Sequence, residues 1–314
     1  MKKMNLLFTL LIAGCADRPP PPTGHSSHTL TIGWHTRGYG VYAPTGHTGA
    51  RPLPLVVILH GGGGTGRGML RDTGWQEKAD AEHFLVAYPD GLARDPSRPA
   101  RFRGNPQTWN DGSGRFTHGE NAELVDDVAF LDAMLDAIIA AFSVDERRIY
   151  VTGFSNGASM AFRFGEQSRR RIAAIAPVAG ACWNPSPRLS HPVPLCYVTG
   201  DCDPLNPMGG GVITLPGATP ALNATPKPPV AESLARWCGA LGESPALAQR
   251  EIREDGASVM SNGKRVIVVT VPGHGHYWPG GPQNLPPAIA GPFRDTFNAT
   301  GFIWAFFANP DVYS

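Results

Sequence analysis

Charged residues are scarce in this chain. Asp, Glu, Lys and Arg make up 17% of its 314 residues, and the formal net charge is +1. A chain so close to neutrality lacks the basic surface that binding to nucleic acid or to an anionic membrane surface requires, so neither partner is expected. Hydrophobic residues make up 42% of the chain, which is enough for a large core, and the length fits one domain.

Long apolar runs are also missing, because the stretch 6–13 is too short for a spanning helix of about 20 residues. It follows Lys2 and Lys3 and ends at Cys15, and residues 1–14 resemble a bacterial lipoprotein signal peptide. We therefore predict lipidation at Cys15 and a tether over 15–28, which is rich in proline. The expected location is the cell envelope, anchored to the outer membrane or facing the periplasm. An ordinary secretory signal with an incidental cysteine is the alternative, and the protein would then be secreted.

Cysteine is rare, and its spacing excludes the common zinc motifs. No C-x-x-C pair, Cys/His cluster or H-E-x-x-H motif occurs, so we expect no metal and no organic cofactor. An exported domain permits disulfides, and the four cysteines after residue 15 allow three pairings between which the sequence does not choose. These cysteines are Cys182, Cys196, Cys202 and Cys238.

Strand-like and helix-like segments alternate along the chain, which predicts an α/β fold with a mostly parallel, doubly wound sheet flanked by helices. One catalytic domain is expected over 29–314, and the Gly- and Pro-rich segment 208–229 is expected to be a surface excursion. The predicted strands are 30–34, 37–42, 53–59, 84–88, 148–152, 172–178, 195–199 and 266–271. The predicted helices are 72–82, 122–142, 156–167, 230–238 and 293–307.

The acidic residues near the start of the helix predicted over 122–142 could either form a solvated helix start or bind a metal ion. Glu123, Asp126 and Asp127 crowd its first turns, where negative charge favours the helix dipole. We expect a solvated helix start here rather than a metal site.

A G-x-S-x-G motif at 153–157 is the most informative local pattern. It follows the predicted strand 148–152 and precedes the predicted helix 156–167, which is the context of a nucleophile elbow. In such an elbow the flanking glycines permit a tight turn that exposes the serine hydroxyl. Ser155 is therefore the predicted nucleophile.

A serine nucleophile needs a base, and the base needs a carboxylate to orient it. The acid candidates Asp201 and Asp203 follow the predicted strand 195–199, and the base candidates His274 and His276 follow the strand 266–271. The order serine, acid, histidine is the one that the elbow motif requires. Spacing alone leaves both choices open.

Backbone N–H groups must also face the negative oxygen that forms during acyl transfer. A His-Gly-Gly-Gly-Gly run at 60–64 follows a buried strand and suits this task, because glycine lets a backbone approach closely. We assign one N–H group to Gly62, with Gly61 or Gly63 as alternatives, and the other to Asn156. His60 is expected to support the turn.

These segments together resemble extracellular esterases of the polyhydroxybutyrate depolymerase-like group, which overlaps feruloyl and acetylxylan esterases of carbohydrate esterase family one. The resemblance runs from about residue 39 to the C-terminus. It rests on 60–62, 109–111, 126–128, 153–157, Asp203 and 275–281. It implies the α/β-hydrolase fold, and it selects Asp203 and His276 as the triad acid and base. Thr199 and Asp201 depart from the residues common in relatives, so local contacts there are expected to differ.

The sequence thus predicts an exported serine esterase that forms an acyl-enzyme, with feruloyl or acetyl esters of plant polysaccharide as the leading substrates. The main alternative is a polyhydroxyalkanoate depolymerase or oligomer hydrolase, and a serine peptidase or a metal-dependent esterase ranks lower. Trp109 and Trp278 are candidates for the substrate pocket. The rival from outside enzymes is a non-catalytic surface lipoprotein on a hydrolase scaffold.

Overall fold

A ten-stranded sheet organises the molecule. The computed structural model describes residues 23–115, 125–213 and 225–310. Its main-sheet strands are β1 (Gly24–Ile32), β2 (His35–Ala43), β3 (Leu53–Leu59), β4 (Leu85–Pro89), β7 (Val144–Phe154), β8 (Ala174–Val178), β9 (Leu195–Gly200), β10 (Ala248–Ile252), β11 (Ser258–Ser261) and β12 (Val266–Val271). Two short strands, β5 (Leu92–Ala93) and β6 (Gln107–Thr108), form a separate ribbon.

Seven helices are described. They are α1 (Gly66–Thr73), α2 (Trp75–Glu82), α3 (Asp127–Ala141), α4 (Asn156–Gln167), α5 (Val230–Leu241), α6 (Pro287–Ala290) and α7 (Ala299–Ala308).

The strand order is β1-β2-β4-β3-β7-β8-β9-β12-β11-β10. The six central strands from β4 to β12 run parallel, and an antiparallel hairpin lies at each edge. The prediction of a mostly parallel sheet in a single domain is confirmed. Because parallel strands end at the same edge, the loops after β3, β7, β9 and β12 meet there.

The sheet separates two hydrophobic cores, and the alternation along β3 shows how. Leu55, Val57 and Leu59 face the core that α3, α4 and α5 cover. Val56 and Ile58 face the opposite core, beneath α1, α2 and α7. Successive side chains of a strand point to opposite faces, so a continuous apolar run feeds both layers.

Several predicted elements have the predicted bounds, namely β3, α4 and β12. The helix predicted over 72–82 is divided by Gly74, whose φ of 70° is left-handed. The helix predicted from 293 begins only at Ala299, where the Asn298 side chain caps it by accepting from the Gly301 N–H at 2.8 Å. The hairpin β10–β11 had not been predicted, since its short edge strands lack a buried apolar run.

The N-terminal boundary also differs from the prediction. Strand β1 begins at Gly24, so residues 24–28 belong to the sheet and not to the tether. Cys15 and the predicted signal peptide lie outside the described residues, and lipidation stays a prediction. Within 23–115, 125–213 and 225–310, no helix has both the length and the apolar character needed to cross a membrane.

The start of α3 corrects a second expectation. Asp126 caps the helix by accepting from the Ala129 N–H at 2.9 Å. Asp127 is not solvated: its carboxylate is fully buried and pairs with Arg37 on β2 at 2.7 Å. The guanidinium also lies 4.2 Å from the ring centroid of Phe130. Glu123 lies outside the described residues. The charge of Asp127 therefore ties a helix to the sheet and does not merely match the dipole.

Removing Arg37 leaves a buried carboxylate without a counter-charge. We expect Arg37→Met to lower the free energy of unfolding by about 3–5 kcal/mol. Urea denaturation followed by circular dichroism measures this change. Arg71→Met is the matched control, because Arg71 forms an exposed pair with Asp72 and should cost at most about 0.5 kcal/mol. Equal effects of the two substitutions would contradict the buried-pair interpretation.

Candidate active site

Ser155 occupies a strained turn between β7 and α4. Its φ is 56° and its ψ is −115°, a left-handed conformation that residues with a side chain rarely adopt. Such strain costs on the order of 1–3 kcal/mol and persists only where the surroundings enforce it. The backbone N–H of Ser155 donates to the Val178 carbonyl on β8 at 2.9 Å, which fixes the turn to the sheet.

The glycines of the motif are required by close packing. A Cβ on Gly153 would lie 2.4 Å from the Gly157 carbonyl oxygen. A Cβ on Gly157 would lie 2.2 Å from the Leu59 carbonyl oxygen, at the end of β3. The first turn of α4 is thus in direct contact with the end of β3, and only glycine fits.

Three side chains from three loops meet at this turn. The Nε2 atom of His276 lies 2.8 Å from the Oγ atom of Ser155. The Nδ1 atom of His276 lies 2.7 Å from Oδ2 of Asp203. Since the carboxylate can only accept, Nδ1 carries a proton and Nε2 of the neutral imidazole is free to accept from the serine hydroxyl. The two histidine contacts therefore form a continuous path from the serine to the acid.

The Asp203 carboxylate is held in its ionised form. Its other oxygen, Oδ1, accepts from the N–H groups of Leu205 and Asn206, each at 2.8 Å. Burial alone would raise the pKa of Asp203, but His276, Lys227 and the Leu205 N–H together outweigh burial and lower it. The lowered pKa keeps the Asp203 carboxylate charged at neutral pH.

Lys227 also contacts the loop that carries Asp203. Its side chain is buried, and Nζ donates to the Leu205 carbonyl at 3.3 Å. Burial lowers the pKa of Lys227 to about 8, although the charge of Asp203 opposes that shift. Lysine at this position had not been singled out in the sequence, because the segment around it has no periodicity that would predict burial.

Asn206 ties the acid loop to β9. Its Nδ2 donates to the hydroxyl oxygens of Tyr197 and Thr199, each at 2.9 Å. The Tyr197 hydroxyl in turn donates to the Gly180 carbonyl at 2.7 Å. Thr199 is thus a hydrogen-bond partner of the acid loop.

The other acid and base candidates do not reach the serine. Asp201 is exposed, and its Oδ1 accepts from the Gly273 N–H at 2.6 Å. His274 is fully buried, with Nε2 3.2 Å from the Tyr277 carbonyl and Nδ1 accepting from the Arg294 N–H at 3.3 Å. Burial lowers the pKa of His274. Both residues shape the loops that carry Asp203 and His276.

The glycine turn after β3 lies beside Ser155. A Cβ on Gly61 would be 3.4 Å from the Ser155 Cβ. The Gly64 N–H donates to the Gly61 carbonyl at 2.9 Å, and Gly63 has a φ of 81°, so 61–64 form a β-turn. The Gly63 N–H already donates to the Gln107 carbonyl at 2.7 Å, which removes Gly63 as an oxyanion donor.

The two predicted donors remain available. Among the described residues, neither the N–H of Gly62 nor that of Asn156 has an acceptor. Asn156 is the first residue of α4, where an N–H has no partner inside the helix and the helix dipole favours negative charge.

A hydrogen-bond clamp joins these two donors. Asn156 uses its amide on Trp109: Oδ1 accepts from the Trp109 N–H at 2.7 Å, and Nδ2 donates to the Trp109 carbonyl at 3.0 Å. The Trp109 indole N–H then donates to the His60 carbonyl at 2.9 Å. His60 itself donates from Nδ1 to the Gly61 carbonyl at 2.7 Å and accepts from the Gly91 N–H at 2.8 Å. Burial lowers the pKa of His60, which fits this neutral supporting role.

The pocket role predicted for two tryptophans is wrong for their side chains. Trp109 is 0% exposed and Trp278 is 5% exposed, so neither ring offers a face to a substrate. The Trp278 indole N–H donates to the Thr300 hydroxyl at 3.0 Å. Both indoles are buried and support the surrounding loops.

The hydrogen bond from the Asn156 amide to the buried Asp111 carboxylate, at 2.9 Å, is a contact that the sequence does not predict.

Metal-binding and cross-linking features are absent from the described part of the chain. No group of three or more His, Cys, Asp or Glu residues there has a metal-binding arrangement. All four cysteines after the predicted tether carry free thiols, and Cys202 is the exposed one. The permitted disulfides are therefore not formed in this structure.

Comparison with known proteins agrees with the geometry. The family model described as phospholipase/carboxylesterase matches residues 46–224. This chain belongs to the phospholipase/carboxylesterase family. The match spans the elbow, the glycine turn and Asp203, so this carboxylesterase carries the family's sequence features over more than half of its length.

Relatives of this carboxylesterase carry esterase names. NocK of Nocardia uniformis subsp. tsuyamanensis, which is named as an esterase, is 32% identical over 296 residues, or 87% of this chain and 80% of NocK. Feruloyl esterase C of Emericella nidulans is 26% identical over 208 residues, or 63% of this chain and 64% of that protein. A shorter match, 31% over 127 residues, joins 40% of this chain to 28% of the poly(3-hydroxyalkanoate) depolymerase C of Paucimonas lemoignei.

A solved structure shares the fold. The acetyl xylan esterase from Aspergillus awamori has a TM-score of 0.53 at 17% identity, over 80% of this chain and 94% of that one. Together with the parallel sheet and the elbow, this likeness identifies the α/β-hydrolase fold.

The elbow glycines give a sharp test of the packing. Gly157→Ala would place a methyl group inside the van der Waals radius of the Leu59 carbonyl, so we expect insoluble protein or a loss of more than about 3 kcal/mol of unfolding free energy. Gly239→Ala in α5 is the matched control. Its Cβ would meet nothing within 4 Å, and alanine should stabilise that helix by about 0.5–1 kcal/mol. Thermal denaturation measures both, and a stable Gly157→Ala protein would contradict the close contact.

Proposed function

We propose that this carboxylesterase hydrolyses its substrates through an acyl-enzyme on Ser155, with His276 as general base and Asp203 as its orienting acid. The observation that carries the proposal is the pair of hydrogen bonds that His276 makes, 2.8 Å to Ser155 and 2.7 Å to Asp203. A base within this distance of a hydroxyl is what nucleophilic catalysis by serine requires.

The proposed reaction has two halves. Ser155 Oγ attacks the ester carbonyl as its proton moves to Nε2 of His276, and Asp203 stabilises the imidazolium. The oxyanion accepts hydrogen bonds from the N–H groups of Gly62 and Asn156. His276 then protonates the leaving alcohol. Water attacks the acyl-enzyme by the same route, and the acid product leaves.

The leading substrates are feruloyl or acetyl esters of plant polysaccharide. The relatives named as feruloyl esterase and acetyl xylan esterase support this class, and the sequence resemblance points the same way. A hydroxyalkanoate polyester or its oligomers form the second candidate, which the match to a depolymerase supports. We further propose export and lipid anchoring through Cys15, supported by the basic and apolar start of the chain.

The triad proposal predicts large and selective losses of activity. Ser155→Ala and His276→Ala should each lower kcat for ester hydrolysis by about 10⁴-fold or more, and Asp203→Asn by about 10⁴-fold, since each removes one link of the proton path. Asp201→Asn is the matched control, because asparagine keeps the oxygen that accepts from the Gly273 N–H. It should stay within about threefold of wild type.

Initial rates with p-nitrophenyl acetate measure these changes, and a fluorophosphonate probe reports the nucleophile directly. Wild type should be labelled, and Ser155→Ala should not. Equal labelling of both proteins, or equal losses in Asp201→Asn and Asp203→Asn, would overturn the assignment.

The substrate class is tested by a panel on the full chain. Methyl ferulate, acetylated xylan and a hydroxybutyrate oligomer are compared by kcat/KM, with Ser155→Ala as the blank. We expect the ferulate or the acetylated xylan to be preferred by at least about tenfold. A preference for the oligomer would instead establish the depolymerase alternative.

The lipid anchor is tested separately, by extracting membranes that contain the full chain. Release of the protein only by detergent would support lipidation at Cys15.

A further inference from the structure

One large apolar side chain near the candidate active site is exposed to solvent. Phe102 is 60% exposed, whereas most phenylalanines of the described residues are packed in the two cores. Its ring lies against the glycine turn after β3, because a Cβ on Gly63 would come within 2.8 Å of the ring atom Cδ2. Ligand sites are lined mainly by apolar and aromatic side chains, so a ring beside a reactive site is a candidate for contact with substrate.

The loop that presents Phe102 is rigidly built. The Arg101 N–H donates to the Asn105 carbonyl at 2.9 Å, and Gly104 between them has a φ of 92°. The buried side chain of Asn105 forms hydrogen bonds with the backbone groups of this loop. Its Nδ2 donates to three carbonyls at 3.0–3.1 Å, and its Oδ1 accepts from the Asp95 N–H at 2.7 Å. The backbone that carries the ring is thus held in place before any ligand arrives, which reduces the entropy cost of a contact.

The loop and the oxyanion turn are also fixed to each other. The Gly63 N–H donates to the Gln107 carbonyl, two residues beyond the Phe102 loop, at 2.7 Å. Gly61 at the start of the same turn contacts Ser155, and Gly62 between them is exposed. The same glycine turn thus lies against Ser155 at Gly61 and against the Phe102 ring at Gly63.

The position of Phe102 decides which substituents of a bound ester are long enough to contact its ring. An ester carbonyl at Ser155 with its oxygen on the Gly62 N–H would lie next to this turn, and a group that extended from the carbonyl across the turn would reach the Phe102 ring. An acetyl or methyl group is too short to do so. A phenyl ring or an aliphatic chain of several carbons has the reach.

We propose that Phe102 forms the wall of an apolar subsite that receives an aromatic or extended aliphatic group joined to the reacting ester, and so determines specificity for large over small esters. The proposal rests on the function proposed above. It assigns to Phe102 the role that the buried rings of Trp109 and Trp278 do not fill.

The test compares the hydrolysis rates of Phe102→Ala and wild type on a series of esters, measured by proton release. Methyl acetate is the small reference ester of the series. Methyl ferulate and methyl octanoate enlarge the acyl group, and 1-naphthyl acetate enlarges the alcohol. We expect kcat/KM to fall by about tenfold for the large group that uses the subsite, mainly through KM, with methyl acetate unchanged within twofold. The arm that responds shows which side of the ester the subsite serves.

Trp34→Ala is the control, because Trp34 is 91% exposed at the tip of the β1–β2 hairpin, which forms the outer edge of the sheet and is separated from β3 by β4. It should leave all the rates unchanged. Phe102→Leu, which keeps an apolar surface, should restore part of the loss. An equal fall for methyl acetate and the large esters, or no fall for any of them, would overturn the subsite. A wild-type protein inactive on every ester would instead count against the proposed function.

Discussion

The amide side chain of Asn156 is the contact on which the geometry of the site depends. It accepts from and donates to the backbone of Trp109 and also donates to Asp111, so all of its strong hydrogen-bonding positions are directed at one loop. Through the indole of Trp109 that loop reaches His60 and the glycine turn. The N–H of the first residue of α4 and the N–H of the turn are therefore set relative to each other by buried hydrogen bonds that are fully satisfied, which is the condition under which such networks add rigidity.

Behind this clamp lies the buried pair of Arg37 and Asp127. The second oxygen of Asp127 accepts from the Asn110 N–H at 2.6 Å, directly after Trp109 in the chain. Arg163 on α4 donates to the Asn110 carbonyl at 2.6 Å. Charges on β2, α3 and α4 thus converge on the loop that carries the clamp. A pair of this kind gives little net stability compared with an apolar substitute, but leaving one charge alone is costly, so it specifies a single arrangement of the loop.

The sequence predicts structure most accurately where local preferences alone determine it. The apolar run of β3, the periodicity of α4 and the glycine spacing of the elbow were each predictable, since strand, helix and turn preferences all agree there. The choice of Asp203 over Asp201 and of His276 over His274 was not, because each pair follows its strand and only family resemblance separated them. The structure brings the selected residues to Ser155 and gives their neighbours hydrogen bonds in the surrounding loops.

Long-range contacts were beyond such reasoning. Asp127 has the local signature of a helix start, and nothing nearby in the sequence indicates that Arg37, 90 residues away, will bury it. Trp109 and Trp278 have the residue type of a binding surface, yet burial gives them a supporting role. Phe102 shows the reverse, because it is exposed although phenylalanine is a residue type that is usually buried.

The close approach of Gly157 to the end of β3 also limits how this molecule can move. The carbonyl oxygens of Leu59 and His60 lie only 2.2 and 2.4 Å from where a Cβ on Gly157 would stand, so the first turn of α4 packs directly against the end of β3. Slow collective motions of the kind that open and close two-domain enzymes have no hinge at this point. The backbone turn at Ser155 and the backbone turn at Gly61 therefore form one packed unit, and a shift of either turn would also displace the other.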